Sequence, residues 1–145
     1  MAEIVVLGAG LGGVLAAYEV KDEMRALDRL TVVSNAPTFH FVPSNPWVAV
    51  DWRKRESIEV ELEPVLRRRG IDFMPVGAKR VVPAENRIEL DDGRSIPYDY
   101  LIIATGPDLA FDEIEGLGPH GGHTQSICHV DHAEKAAIDW RAFME

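Results

Sequence analysis

The 145-residue sequence contains a single cysteine, Cys128, which excludes a disulfide within the chain and fits a reducing compartment. Positive charge is also scarce, because 15 Lys and Arg against 24 Asp and Glu give a net charge of −9. Nucleic-acid binding needs clustered cations, so this balance argues against it. No apolar run approaches the ~20 residues of a membrane-spanning helix, and Glu3 stands where a signal peptide would be basic. The composition predicts one ordinary globular core.

A glycine-rich turn follows the first apolar run. Residues 4–7 lead directly into Gly8-Ala9-Gly10-Leu11-Gly12-Gly13, a Gly-x-Gly-x-x-Gly sequence. In a dinucleotide-binding turn, Gly8 allows the sharp bend, Gly10 lets the backbone approach a pyrophosphate, and Gly13 lets the next helix pack closely. A helix over residues 14–26 and a strand over residues 30–33 complete the predicted β-α-β unit. The turn therefore predicts an anion at a helix N-terminus, with Gly8, Gly10, Gly12 and Gly13 as cofactor-binding candidates.

The end of the second predicted strand lacks an acidic residue. A Rossmann-type unit commonly places Asp or Glu there to bind the adenosine ribose. This chain has Ser34 and Asn35, which can hydrogen-bond a ribose hydroxyl without a formal charge. The motif alone leaves the identity of the dinucleotide open, and a glycine-rich turn without a ligand is the simpler alternative.

The rest of the first hundred residues alternates between strand, helix and turn patterns. Residues 35–58 show no clear period and predict a functional loop. A helix over residues 62–69 and a strand over residues 71–76 follow. Three short alternating segments, residues 79–82, 87–90 and 94–96, predict an antiparallel meander.

A further predicted strand ends at the same edge of the sheet as the glycine turn. The apolar run over residues 100–103 fits a strand buried on both faces, and it leads into Ala104-Thr105-Gly106. A parallel strand beside the first would bring these residues to the ligand-binding edge of an α/β sheet. The predicted fold class is α/β: a Rossmann-like parallel sheet with a βαβ dinucleotide fingerprint and an inserted three-stranded antiparallel meander.

The last third of the chain carries the residues with reactive side chains. Asp131 and Glu134 predict a capping box that starts a helix. His132 is a candidate proton carrier, and an ordinary first-turn residue is the alternative. His129 and His132 could share a helix face as metal ligands, but no further ligand completes a known site, so no metal is predicted. A lone cysteine such as Cys128 is most often a small buried hydrophobe.

These motifs together resemble a known family. The Gly-x-Gly-x-x-Gly turn, the meander and Tyr-Asp-Tyr-Leu-Ile-Ile-Ala-Thr-Gly-Pro at residues 98–107 are similar to the FAD domain of the pyridine nucleotide-disulfide oxidoreductase superfamily. Within it, residues 41–47, 109–111 and 125–134 resemble sulfide:quinone oxidoreductases. The resemblance covers essentially the whole chain.

The resemblance implies a role for each candidate residue. It places Gly8, Gly10 and Gly13 at the FAD pyrophosphate and Ser34 and Asn35 at the adenosine ribose. It places Pro43, Ser44 and Asn45 near the flavin, Ala78 at the adenine, and Ala104, Thr105 and Gly106 beside the cofactor. Cys128 matches the first of the family's functional cysteines, through which sulfide reduces the flavin before a membrane quinone reoxidises it.

The family pattern also contains features that this chain lacks. Two further cysteines, a second dinucleotide-like domain and a C-terminal membrane-contacting region have no counterpart here, so residues 1–145 are expected to be a single, partial FAD-binding domain. Such an amino-terminal fragment is expected to be soluble, to self-associate and to be inactive alone, whereas the full-length enzyme would be a peripheral membrane protein. The alternatives are the FAD domain of a type II NADH dehydrogenase or of the flavin subunit of flavocytochrome c, and a non-enzymatic nucleotide-binding module.

Overall fold

The computed structural model describes all 145 residues, which divide into two compact units. Unit 1 comprises residues 1–39 and 61–106, and unit 2 comprises residues 40–60 and 107–145. Whether residues 1–145 behave as a single domain stays a prediction. No helix in the structure has both the length and the apolar character needed to cross a bilayer.

Nine strands and four α-helices make up the regular structure. The strands are β1 (Glu3–Leu7), β2 (Arg29–Val33), β3 (Thr38–His40), β4 (Glu59–Glu61), β5 (Asp72–Met74), β6 (Ala78–Val82), β7 (Arg87–Leu90), β8 (Ser95–Pro97) and β9 (Tyr100–Ile103). The helices are α1 (Leu11–Glu23), α2 (Asn45–Ala49), α3 (Leu62–Arg68) and α4 (Val130–Met144). Short 3₁₀ turns cover Val42–Ser44, Arg55–Ser57, Pro83–Glu85 and Phe111–Glu113.

Unit 1 is built on a four-stranded parallel sheet in the order β5-β2-β1-β9. Val6 of β1 lies opposite Val32 of β2 and Ile102 of β9. Val6 and Val32 pack with Leu62 and Leu66 of α3, while Val5, Leu7 and Val33 pack on the opposite side with Ile88 and Leu90 of the meander. Both faces of the central strands are therefore covered, which explains their uninterrupted apolar sequences.

The predicted α/β fold class is confirmed. The crossover from β1 through α1 to the parallel strand β2 is present, and β6, β7 and β8 form the expected antiparallel meander. Helix α1 starts at Leu11, three residues before the predicted range, with Gly10 as its N-cap. Helix α3 ends at Arg68, and Gly70 follows with φ +65°, a conformation that glycine adopts without steric cost.

Two expectations, about the burial of β9 and about residues 35–58, were wrong. Strand β9 lies at the sheet edge, so Tyr100 and Ile103 are 65% and 61% exposed rather than buried on both faces. Residues 35–58 are not an irregular loop, because they contain β3, α2 and two 3₁₀ turns. Pro43 and Pro46 each stand in the first positions of a helical turn, where a missing N–H costs nothing.

Unit 2 has its own small core. Val130, Ala133 and Ala137 recur on one face of α4 and are all buried. Val130 and Ala133 pack against Val48, Ala49 and Ile58, which come from α2 and the segment after it. The predicted C-terminal helix is confirmed, and its buried face holds it against residues 45–58.

Neighbouring glycines of α1 should respond oppositely to the same substitution. A Cβ at Gly13 would lie 2.0 Å from the carbonyl oxygen of Gly8, so Gly13→Ala should lower the free energy of unfolding by about 3 kcal/mol or more. At Gly12 nothing lies within 4 Å of the added Cβ, so Gly12→Ala should raise it by about 0.5 kcal/mol. Urea denaturation without added cofactor measures both values. Equal effects at the two positions would contradict the packing described.

Candidate functional site

The glycine turn after β1 is shaped by two close backbone contacts. Gly8 has φ +102°, and a Cβ on it would lie 2.3 Å from the carbonyl oxygen of Ala104. A Cβ on Gly13 would lie 2.0 Å from the carbonyl oxygen of Gly8, so this carbonyl also needs a position without a side chain. The Gly8 N–H donates to the Val33 carbonyl at 2.8 Å, which ties the turn to β2 as well. The turn therefore fits only glycine at both positions and holds α1 close to the sheet.

The space in front of α1 is open. A Cβ at Gly10 or Gly12 would meet nothing within 4 Å. No side chain caps the N-terminus of α1, and its first turn contains no acidic residue. The first N–H groups of a helix have no acceptor within the helix, so here they can bind an anion. The helix dipole favours negative charge at the same place. The diphosphate of a dinucleotide fits this arrangement.

The structure brings three of the predicted segments to the same edge of unit 1. Parallel pairing puts the residues after β1, β2 and β9 at the carboxyl ends of neighbouring strands. The Ala104 N–H donates to the Leu7 carbonyl at 2.7 Å, and Gly106 turns away with φ +76° into open space. The hydroxyl of Ser34 accepts a hydrogen bond from the Ala36 N–H at 3.2 Å, and Asn35 is exposed.

The turn after β7 contributes Asp91, a residue that the sequence analysis did not identify. Ala78 opens β6, and a Cβ at the preceding Gly77 would lie 3.6 Å from the Cβ of Asn35. The same added Cβ would lie 1.9 Å from Oδ2 of Asp91. Asp91 thus places a carboxylate near the end of β2, where the sequence has no acidic residue of its own. No local pattern marked it, because it follows β7 in a turn that looks purely structural.

In unit 2, the Pro43-Ser44-Asn45 segment lies against the segment that precedes Cys128. Asn45 is fully buried and its Nδ2 donates to the Ile127 carbonyl at 2.9 Å, while its Oδ1 has no hydrogen-bond partner. Ser44 is also fully buried and accepts a hydrogen bond from Nη1 of Arg53 at 2.7 Å. Cys128 itself is a free, exposed thiol. The predicted residues Asn45 and Cys128 are therefore parts of one local arrangement.

His132 lies in a cluster of rings beside a cavity of about 560 Å³. Its ring centroid is 5.1 Å from that of His120 and 5.2 Å from that of His129, and Phe111 packs edge-on at 5.9 Å. Nδ1 of His132 is enclosed without a hydrogen-bond partner. Burial first, and then the neighbouring imidazoles, lower the pKa of His132 below its usual value. The ring is therefore mainly neutral near pH 7 and able to accept a proton.

The predicted capping box was wrong. His129 is the N-cap of α4 and makes no side-chain capping bond. The carboxylates of Asp131 and Glu134 instead bind Nη1 of Arg55. Arg55 was missed because 76 residues separate it from Asp131, so no local spacing reveals the contact.

Metal ligands do not converge anywhere in the structure. No group of three or more His, Cys, Asp or Glu side chains is arranged to hold a metal ion. The imidazoles of His120, His129 and His132 instead meet at steep angles, between 74° and 87°, as packed rings.

Comparison with known proteins places this geometry in a family. The pyridine nucleotide-disulphide oxidoreductase family model matches residues 2–141. A sulfide-quinone reductase of Aquifex aeolicus is 39% identical over 130 residues, which are 90% of this chain and 29% of that protein. The mitochondrial sulfide:quinone oxidoreductase of Mus musculus is 32% identical over 141 residues, 92% of this chain and 30% of that protein.

A solved structure shows the same fold. The crystal structure of the sulfide:quinone oxidoreductase from Aquifex aeolicus has a TM-score of 0.90 and 35% identity, and the match covers 99% of this chain and 32% of that one. The chain thus spans about three tenths of the length of these relatives. It belongs to the pyridine nucleotide-disulphide oxidoreductase family, whose members of this type are FAD-binding flavoproteins. The open N-terminus of α1 and the side-chain-free turn before it fit the FAD diphosphate.

Filling the space at Gly10 should separate cofactor binding from folding. Gly10 has an extended backbone, φ −72° and ψ −170°, which any residue adopts. Gly10→Val should change the free energy of unfolding by no more than about 1 kcal/mol, yet weaken FAD binding at least about tenfold, because its side chain occupies the diphosphate space. Fluorescence titration with FAD measures the affinity. Ala84→Val, an exposed substitution at the far end of β6, is the control, and equal FAD affinity in the two variants would contradict the assigned diphosphate site.

Proposed function

We propose that this chain is the FAD-binding portion of a flavoprotein that oxidises sulfide to sulfane sulfur or polysulfide and passes the electrons through FAD to a quinone. The observation that carries the proposal is the exposed Cys128 thiol, in a segment anchored by the buried Asn45, in a chain similar to sulfide-quinone reductases. A soft, accessible thiol is the side chain that sulfur chemistry requires.

Cys128 is proposed to carry sulfur by exchange. Its thiolate attacks the outer sulfur of a persulfide, R–S–S⁻, and forms Cys–S–S⁻ while R–S⁻ leaves. The exchange transfers one sulfur atom and no net electrons. Its exposure lets a second thiolate or hydrosulfide ion reach the bound sulfur and release it.

His132 is proposed to receive the proton that sulfide loses. Oxidation of HS⁻ to the level of sulfane sulfur releases one proton and two electrons. The neutral imidazole of His132 lies on the first turn of α4, four residues after Cys128, and its enclosed Nδ1 has no competing partner. Its lowered pKa keeps the imidazole in the unprotonated form, which is the form that accepts a proton.

The remaining assignments concern the cofactor. When bound, FAD accepts the two electrons and donates them to the quinone. Gly8, Gly10, Gly12 and Gly13 are proposed to face its diphosphate, and Ser34 and Asn35 its ribose. Ala78 is proposed to contact the adenine and Ala104, Thr105 and Gly106 another side of the cofactor, while Pro43, Ser44 and Asn45 are assigned to the flavin end. Sulfide, a quinone and a membrane surface are the proposed partners of the whole protein. We propose that the whole protein, and not this chain alone, catalyses the reaction.

Sulfide should bleach the flavin absorbance of the protein expressed at the full length that its gene encodes. Cys128→Ser should lower the rate of sulfide-dependent reduction of a water-soluble ubiquinone at least about tenfold, because a hydroxyl cannot carry sulfane sulfur. Ile127→Val is the matched control, since it keeps the carbonyl that Asn45 binds and should leave the rate unchanged.

Two results would contradict the proposal. One is a colourless protein that FAD does not reconstitute. The other is a flavin that NADH reduces and sulfide does not, which would favour a function like that of a type II NADH dehydrogenase.

A further inference from the structure

Arg55 binds carboxylates from two parts of unit 2. Its Nη1 donates to Oδ1 of Asp131, on the first turn of α4, and at 2.8 Å to Oε2 of Glu134, one turn further along the helix. Its Nε donates to Oε1 of Glu59, which also accepts from Nε2 of His40 at 2.7 Å. One guanidinium therefore joins the segment that precedes β4 to the start of α4.

This arrangement differs from an isolated surface ion pair. The Arg55 and Glu59 side chains are 30% and 21% exposed, whereas those of Asp131 and Glu134 are 74% and 46% exposed. Three carboxylates share one guanidinium, and the hydrogen bonds that Arg55 donates to Glu134 and Glu59 raise the pKa of Arg55 above its usual range. A planar fork that donates to several acceptors fixes their positions, which a single flexible ammonium does not. The network thus connects Arg55 and Glu59 to the first two turns of α4.

One carboxylate of the same network, that of Asp131, acts on His132. The groups that act on His132 are His120, His129, Asp131 and Lys135, and Asp108, Asp112 and Glu115 line the same cavity. Of the nearest groups, Asp131 is the one that favours the protonated imidazole. Because Arg55 holds both Asp131 and Glu134, its positive charge offsets the carboxylate field at the start of the helix.

We propose that Arg55 is a positioning residue that fixes the first turn of α4 and, by binding Asp131 and Glu134, offsets the carboxylate charge that favours a proton on His132. This inference rests on the proposed function, in which His132 takes up the proton from sulfide. Arg55 acts only through the carboxylates that it holds and through the helix that carries His132.

The other end of α4 offers a matched control. Arg141 in the last turn of the helix binds Asp51, which also pairs with Lys54 at 3.2 Å. Arg141→Gln therefore removes an ion pair between α4 and the same 40–60 segment without changing the charges beside His132. A purely structural role for Arg55 predicts the same result for both substitutions.

The experiment is an NMR titration of the His132 ring in this chain, without sulfide or quinone. In Arg55→Gln the His132 titration midpoint should move to higher pH than in the unmodified chain, because the freed Asp131 carboxylate stabilises the imidazolium. Arg55→Lys should move it less, since the charge remains and the fork is lost. Arg141→Gln should leave it unchanged.

If Arg55→Gln does not fold, a second variant still tests the inference. Asp131→Asn combined with Glu134→Gln removes the carboxylates and keeps Arg55, so the His132 midpoint should move to lower pH. An unchanged midpoint in either variant, or an equal shift in Arg141→Gln, would overturn the inference. Failure of the full-length protein to oxidise sulfide would refute the proposed function instead, and it would leave these midpoints as they are.

Discussion

The close approach of backbone to backbone at Gly8 and Gly13 is the constraint on which unit 1 depends. Gly8 bends out of β1 within reach of the Ala104 carbonyl, and Gly13 receives the Gly8 carbonyl against α1. These contacts bring the ends of β1 and β9 and the start of α1 together. They also leave the uncapped N-terminus of α1 beside Gly10 and Gly12, which carry no side chain, so the packing of the sheet and the binding of an anion have one common cause.

Unit 2 is organised by polar contacts over a small apolar core. Fully buried Asn45 holds the carbonyl before Cys128, and Arg55 and Arg141 join α4 to the preceding segment at either end. Oδ1 of Asn45 and Nδ1 of His132 are enclosed but unpaired. Because buried polar atoms are nearly always hydrogen-bonded, each of these two atoms has capacity for one further partner, for which a water molecule suffices. They stand in the same unit as the exposed thiol.

The sequence predicted those features that depend on neighbouring residues. The glycine turn, the end of α3 before Gly70 and the antiparallel meander all follow from local turn and strand chemistry. The edge position of β9 did not follow, because an apolar run does not reveal how many strands flank it. The capping box at Asp131 failed because distant Arg55 is a stronger partner for its carboxylate than a helical N–H.

The most direct test of the account is a crystal structure of this chain with FAD. The diphosphate oxygens should accept hydrogen bonds from the backbone N–H groups of residues 10–12 at the start of α1. Ordered FAD bound elsewhere, with the N-terminus of α1 in contact with solvent alone, would contradict it.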